Sequence, residues 1–255
     1  MLRVPRLFAI LLLGAAFAAP AAADPPPGDA APPVVIAPVA KPQAEPPYPL
    51  DAIPREVPPT GDLDCPKVEV AAYRGDVLRY KPEVWVNGSF RARLTAFERV
   101  VRDVAVEVYG RPPDRIVQLG GYGCRRMREH GGWLSEHALG NAVDVAGFDF
   151  GHLPKGAALP AGLDRAFANA FEVRVLGHWG KRSGHAAVHA RFLRTLARTL
   201  IGREDVFRVL LGPGYPGHNN HFHFDVSTFR LAQIFEDGQL LAPPPPVAPS
   251  PPPLP

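Results

Sequence analysis

Hydrophobic residues in the middle of the chain recur at the spacings of helices. After Ser89, a candidate N-cap, apolar residues recur every three or four positions as far as Gly110, which predicts a helix with one buried face. That face consists of Leu94, Phe97, Val101, Val104 and Val108. A second helix is predicted from about Ala186 to Leu200. Its inner face consists of Val188, Phe192, Leu196 and Leu200.

Other segments follow the spacing of strands. They are DRIVQLGG (114–121), NAVDVAGF (141–148), DVFRVLLG (205–212) and HFHFDV (221–226). Side chains alternate between the two faces of a strand, so Val143 and Val145 share one face and Asp144 points to the other. Together with the helices, these segments predict an α+β fold with a small antiparallel sheet core and flanking helices.

The two ends of the chain have a different composition from the middle. Residues 1–23 combine a basic start, a short apolar run and a small-residue cleavage site, which predicts a secretory signal peptide. Residues 24–60 and 243–255 are rich in proline, which disfavours helix and sheet and predicts an extended linker and tail. One folded domain is therefore expected over residues 61–242.

Export changes how the charge and the cysteines are interpreted. Loss of Arg3 and Arg6 with the signal lowers the formal net charge from +3 to +1. No basic stripe remains, so neither a nucleic-acid partner nor a membrane span after cleavage is expected. In the oxidising periplasm or cell envelope, Cys65 and Cys124 are predicted to form a disulfide.

Four of the nine histidines fall in two short motifs, SEHALGNAVDVAGF (135–148) and HNNHFHFD (218–225). In the second motif, strand alternation places His221, His223 and Asp225 on one face and the phenylalanines on the other, in the core. The remaining histidines are expected to be structural or solvated. They are His130, His152, His178, His185 and His189.

The two motifs together offer the ligands of a metal ion on the face of the sheet. Three nitrogen or oxygen ligands with an open fourth position are typical of catalytic zinc. His137 and Asp144 supply two ligands, and either His221 or His223 supplies the third. The other histidine then lies beside the metal, where it can transfer protons or stabilise an oxyanion. Copper is the alternative ion, and the Asp144 oxygen favours Zn²⁺.

The motif of residues 135–144, Ser-x-His-x-x-Gly-x-Ala-x-Asp, is followed downstream by His221-x-His223. This arrangement resembles the exported zinc peptidases that include D-Ala-D-Ala carboxypeptidases and murein endopeptidases. The longer pattern of GCRRM, LSEHALGNAVDVAGF and VLLGPGYPGHNNHFHFDV resembles more closely the extensin-like C-terminal domain family of bacterial exported proteins. That second resemblance covers roughly Leu63 to Leu241.

The resemblance to the zinc peptidases implies a role for each histidine. The ligands of that group correspond to His137, Asp144 and His223. His221 corresponds to an active-site residue that does not bind the metal in the murein endopeptidases. Many relatives have a glutamate base three residues before the last ligand, where this chain has Asn220, so the role of base passes to His221 or to His218, or is lost.

An arginine ahead of the first motif binds substrate in several of these relatives. Arg125 is the best match in this chain, and Arg126 is the next. The resemblance therefore implies an exported zinc-dependent peptidase that cuts peptidoglycan peptides. The alternative is a non-catalytic cell-wall-binding module with a structural metal site, which Asn220 favours. An open three-ligand site beside a titratable histidine favours the enzyme.

Overall fold

A computed structural model describes residues 47–243, which form a mixed α+β fold. The strands are β1 (Val70–Tyr73), β2 (Arg79–Lys81), β3 (Val84–Asn87), β4 (Arg115–Gly120), β5 (Ala142–Phe150), β6 (Phe171–Arg174), β7 (Val209–Leu211), β8 (Phe222–Asp225), β9 (Leu231–Gln233), β10 (Phe235–Glu236) and β11 (Gln239–Leu240). The helices are α1 (Gly88–Tyr109), α2 (Val175–His178) and α3 (Gly184–Ile201), with 3-10 turns at Pro49–Ala52, Glu136–Leu139 and Arg165–Ala168. The predicted signal peptide, most of the linker and most of the tail lie outside these residues.

The main sheet has seven strands in the order β2-β4-β5-β8-β7-β9, with β6 also paired to β5. Its centre, formed by β4, β5, β8 and β7, is antiparallel and corresponds to the four predicted strands. The predicted antiparallel core is therefore confirmed, and the edge pairs β2/β4 and β7/β9 add parallel pairing on either side of it. Such parallel edges arise because β2 and β9 reach the sheet through crossovers rather than tight hairpins.

The two long helices confirm the predictions from apolar spacing. Every residue of the predicted inner face of α1 is buried. The N-cap of helix α1 is Asn87, two residues before the predicted cap, and its side chain accepts a hydrogen bond from the Ser89 N–H. Helix α1 ends at Gly110, whose left-handed backbone (φ 75°) suits a residue without a side chain. In α3 the inner face is buried except at Val188, which is half-buried.

An aromatic core joins the helices to the sheet. Phe224 on β8 contacts Phe97 on α1, with ring centroids 5.4 Å apart, and stacks on Phe207 at 5.0 Å. Phe148 on β5 meets Phe192 on α3 edge to face at 5.2 Å. The core therefore fills one face of the sheet and leaves the opposite face of β5 and β8 free for polar side chains.

The structure differs from the predicted domain boundary. Residues 47–60 were assigned to the linker, yet Tyr48, Leu50 and Arg55 are buried within the domain. The high proline content of this stretch predicts a linker, although three of its residues face the interior of the domain. The predicted disulfide between Cys65 and Cys124 is confirmed, with Cα atoms 5.9 Å apart across 59 positions of sequence. Among the described residues, no helix has the length and apolar character needed to cross a membrane.

Candidate metal centre

Three side chains from separate elements converge at one point beside the sheet. His137 lies on the turn Glu136–Leu139, Asp144 on β5 and His223 on β8, where the strand register sets Asp144 opposite His223. His137 Nε2 is 3.2 Å from Asp144 Oδ1 and 3.1 Å from His223 Nδ1, and His223 Nδ1 is 2.9 Å from Asp144 Oδ1. The structure therefore brings together the three predicted ligands, and this group could hold a metal ion.

The separations of these atoms suit a small ion. Ligand atoms about 2.0–2.2 Å from a tetrahedral ion lie roughly 3.3–3.5 Å apart, so the atoms seen at 2.9–3.2 Å need to move only a few tenths of an ångström. Two imidazoles and one carboxylate, with no thiolate, form a donor set typical of catalytic zinc. The residues present therefore fit such an ion.

Neighbouring groups orient His137 and His223, the two candidate ligand histidines. His137 Nδ1 donates to the Gly121 carbonyl oxygen, which leaves Nε2 facing the cluster. His223 Nε2 donates to Asp225 Oδ2 at 2.8 Å, which leaves Nδ1 facing the cluster. A carboxylate behind a ligand histidine fixes the ring and makes its other nitrogen a stronger ligand. The sequence placed Asp225 on the correct strand face but did not indicate this role.

The charges within the cluster are strongly coupled. Burial opposes ionisation of Asp144, but hydrogen bonds from His137 and His223 outweigh burial and hold the pKa of the Asp144 carboxyl well below its usual range. Burial likewise disfavours the charged form of His223, yet hydrogen bonds to Asp144 and Asp225 raise the pKa of His223 to about 9. A proton and a metal ion would thus compete for the same position.

A buried polar network supports the turn that carries His137. Arg55 Nε donates to Glu136 Oε1 at 2.8 Å, and Asn141 Nδ2 donates to Glu136 Oε2 at 2.6 Å. The Tyr48 hydroxyl donates to Asn141 Oδ1 at 2.6 Å. The N-terminal segment, residues 47–62, is thereby tied to the turn. Sequence reasoning missed this network because its members are up to 93 positions apart.

His221 lies just before β8 and faces the same cavity as the three candidate ligands. Its Nε2 is 3.6 Å from Asp144 Oδ1, and its Nδ1 donates to Asn220 Oδ1 at 2.8 Å. Burial lowers the pKa of His221 to about 4, so the ring is neutral and its Nε2 carries a lone pair near pH 7. Asn220 thus orients the histidine that stands beside the cluster.

His218 lies further out on the rim of the cavity. Its Nδ1 donates to the Pro216 carbonyl oxygen at 2.8 Å, and its ring centroid is 4.9 Å from that of His221. Burial lowers the pKa of His218. The His218 ring is therefore an outer neighbour of His221.

The two candidate substrate-binding arginines have different surroundings. The Arg125 guanidinium is 3.7 Å from Asp144 Oδ2 and more than half exposed at the mouth of the cavity. The Arg126 guanidinium instead donates to carbonyl oxygens of the N-terminal segment, including those of Pro58 and Gly61. Arg126 therefore holds that segment in place, and Arg125 is the one directed to the cluster. Arg128, which the sequence did not single out, also lines the cavity.

The cluster opens into a cavity of about 330 Å³. His137, Asp144 and His223 form its floor, while Arg125, His218 and His221 line its walls. Pockets of this size, with a few convergent polar groups, are typical of sites for small ligands. The group that could hold a metal ion therefore lies at a cavity large enough for a small ligand.

The fold and site define an α+β domain with a His/Asp/His group able to hold a metal ion. The family model described as "Extensin-like protein C-terminus" matches residues 53–157, which is less than half of the chain and supports that resemblance. The matched segment contains Arg125, His137 and Asp144 but ends before His223. A search of curated proteins and a search of solved structures found no match.

Proposed function

We propose that the protein is an exported, zinc-dependent peptidase that hydrolyses amide bonds in the peptides of peptidoglycan. The observation that carries this proposal is the convergence of His137, Asp144 and His223 at the floor of an open cavity, with His221 beside them. A group that only stabilised the fold would have no need of an open side. Structural zinc sites are closed by four protein ligands, whereas catalytic sites keep one position free.

His137, Asp144 and His223 would hold the zinc ion. When bound, zinc acts as a Lewis acid and lowers the pKa of a water molecule to about 7. The Nε2 lone pair of His221 can accept a proton within the cavity, and its bond to Asn220 keeps that nitrogen directed inward. Arg125 offers a cation at the cavity mouth for a substrate carboxylate or carbonyl oxygen.

Peptidoglycan as substrate follows from the resemblance to murein peptidases and from export. A disulfide such as Cys65–Cys124 is typical of proteins outside the cytoplasm. An amide bond between peptide residues is the natural target of a zinc site with an adjacent proton acceptor.

The direct test is to incubate the purified full-length protein with isolated peptidoglycan and measure new amine ends. We expect release of amines with added zinc, loss of release with a chelator, and recovery when zinc is restored. Absence of new amine ends under every condition would contradict the proposal. If the protein nevertheless co-sediments with peptidoglycan, the alternative function as a wall-binding module replaces the peptidase proposal. Asn220, in the position of the usual glutamate, favours that alternative.

A further inference from the structure

A second cavity, of about 150 Å³, adjoins the cavity of the metal cluster on the side of Asp225. Several residues line both cavities, including His223 and Tyr215, so the two cavities are direct neighbours. The second cavity is lined half by apolar or aromatic residues and half by polar or charged ones, including Arg55, Glu136 and Asp225. We call it the aromatic groove and define it by Trp133, Val209, Leu211, Tyr215, Phe229 and Leu231.

Two large aromatic side chains on the aromatic groove are open to solvent. Trp133 is 42% exposed and Phe229 is 43% exposed, although both lie on a domain whose other aromatic residues are mostly buried. Exposed apolar surface concentrated in a cleft usually marks a binding site. The two rings are therefore available to a ligand that reaches the metal cluster.

The backbone around both rings is held firmly. The Trp133 N–H donates to the His130 carbonyl oxygen at 2.8 Å, and Trp133 also pairs with Glu56 of the N-terminal segment. On the other side, the Ser227 N–H donates to Asp225 Oδ1 at 2.9 Å, two residues before Phe229. The backbone on both sides of the aromatic groove is thus hydrogen-bonded, and on the Phe229 side it is tied to Asp225, which also orients His223.

The lining also offers polar groups besides the aromatic rings. Thr228 and His130 are exposed and line the same cavity as Trp133 and Phe229. An apolar peptide side chain would make no use of a hydroxyl and an imidazole at this position. A pyranose ring presents apolar C–H faces and hydroxyl edges, and an acetamido group adds a methyl that suits the floor at Leu211.

We propose that the aromatic groove binds an N-acetylated sugar of the glycan strand, while the cavity of the metal cluster takes the attached peptide. This inference rests on the proposed function, because it assigns a second part of the same substrate to the neighbouring cavity. The protein would then bind both the glycan strand and the attached peptide of the polymer. A sugar-free peptide would fill only the cavity that contains the cluster.

The test compares a sugar-bearing muropeptide with the same peptide without sugar as substrates of the full-length protein. We expect Trp133→Ala and Phe229→Ala to lower the preference for the sugar-bearing substrate, as a ratio of kcat/KM values, by about 3- to 10-fold, which is the scale of a lost aromatic contact. The change should lie in KM rather than kcat. Trp85→Ala is the matched control, because Trp85 is 52% exposed and lines neither cavity.

Trp133→Leu is a second variant, which removes the ring but keeps an apolar side chain. A circular dichroism spectrum of each variant checks that it is folded. An equal loss with both substrates would overturn the inference and assign the aromatic groove to the peptide. An unchanged ratio would also overturn it.

Titration with N-acetylglucosamine oligomers, followed by tryptophan fluorescence, tests the groove separately from catalysis. Oligomer binding without amide cleavage would overturn the proposed function alone, and cleavage without oligomer binding would overturn this inference alone.

Discussion

At the scale of single residues, each histidine around the cluster has one ring nitrogen bound by a neighbour and the other free to face inward. Gly121, Asn220 and Asp225 are those neighbours. Strand alternation predicted which side chains share a face, since it depends only on local backbone geometry. It could not predict the backbone carbonyl of Gly121, which reaches His137 only after β4 and the turn have packed together.

The first prediction concerns the carboxylate behind His223. Asp225→Asn should retain the fold but weaken zinc binding by about 10- to 100-fold, because the ring loses the partner that makes Nδ1 a strong ligand. Competition with a zinc-binding dye measures the affinity. Asp103→Asn, on the exposed side of α1, is the control and should bind zinc like the unaltered protein. Equal affinity in both variants would show that Asp225 has no part in the centre.

At the scale of secondary-structure elements, segments with a clear periodic pattern were predictable and most segments without one were not. Helix α1 and strand β8 follow clear periodic patterns, and their buried faces agree with prediction. Strands β2, β9 and β10 contain only two or three residues, too few to display alternation. Their pairing depends on contacts with distant strands, so the parallel pairing at the edges of the sheet could not be predicted from the sequence. The turn carrying His137 likewise depends on the distant Arg55.

The second prediction addresses that turn. Arg55→Met should lower the free energy of unfolding by about 3–5 kcal/mol, because it leaves the buried Glu136 carboxylate without its charged partner. Urea denaturation provides the measurement. The control Arg74→Met removes an exposed partner of Glu83 and should leave the unfolding midpoint nearly unchanged. Similar midpoints for the two variants would contradict the proposed support of the turn.

The third prediction concerns pH and the packing of α3. Burial, with smaller effects of His178 and His185, lowers the pKa of His189 to about 4, and its Nδ1 lies 2.8 Å from the Tyr109 hydroxyl. The unfolded chain therefore takes up this proton near pH 6.5 and the folded protein only near pH 4. The contribution of the neutral His189 ring to the free energy of unfolding is complete above pH 6.5. It decreases by up to about 3 kcal/mol as the pH falls to 4.

His189→Gln is expected to flatten this dependence, since glutamine does not titrate. Unfolding in urea at several pH values between 4 and 7 measures the slope for both proteins. His152→Gln is the control for loss of a histidine outside this packing cluster. A slope that His189→Gln leaves unchanged would mean that another group causes the loss of stability in acid.

At the scale of the whole molecule, the features of the chain fit a protein that works outside the cytoplasm. The disulfide joins Cys65, just after the N-terminal segment, to Cys124 in the loop before His137, and Arg126 holds the segment itself through Pro58 and Gly61. Composition indicated the proline-rich arms but placed the start of the domain too late. Composition averages over a segment, whereas a few buried side chains such as Tyr48 decide whether that segment belongs to the fold.

The central claim is that His137, Asp144 and His223 bind the metal while His221 acts beside it. The most direct measurement is the zinc content and peptidoglycan amide turnover of His221→Ala and His223→Ala, compared with the unaltered protein. We expect His223→Ala to lose the metal, and His221→Ala to keep it while turnover falls by about 10²–10⁴-fold, the scale of a positioned acid-base group. Loss of zinc from His221→Ala, or full turnover in that variant, would contradict the account.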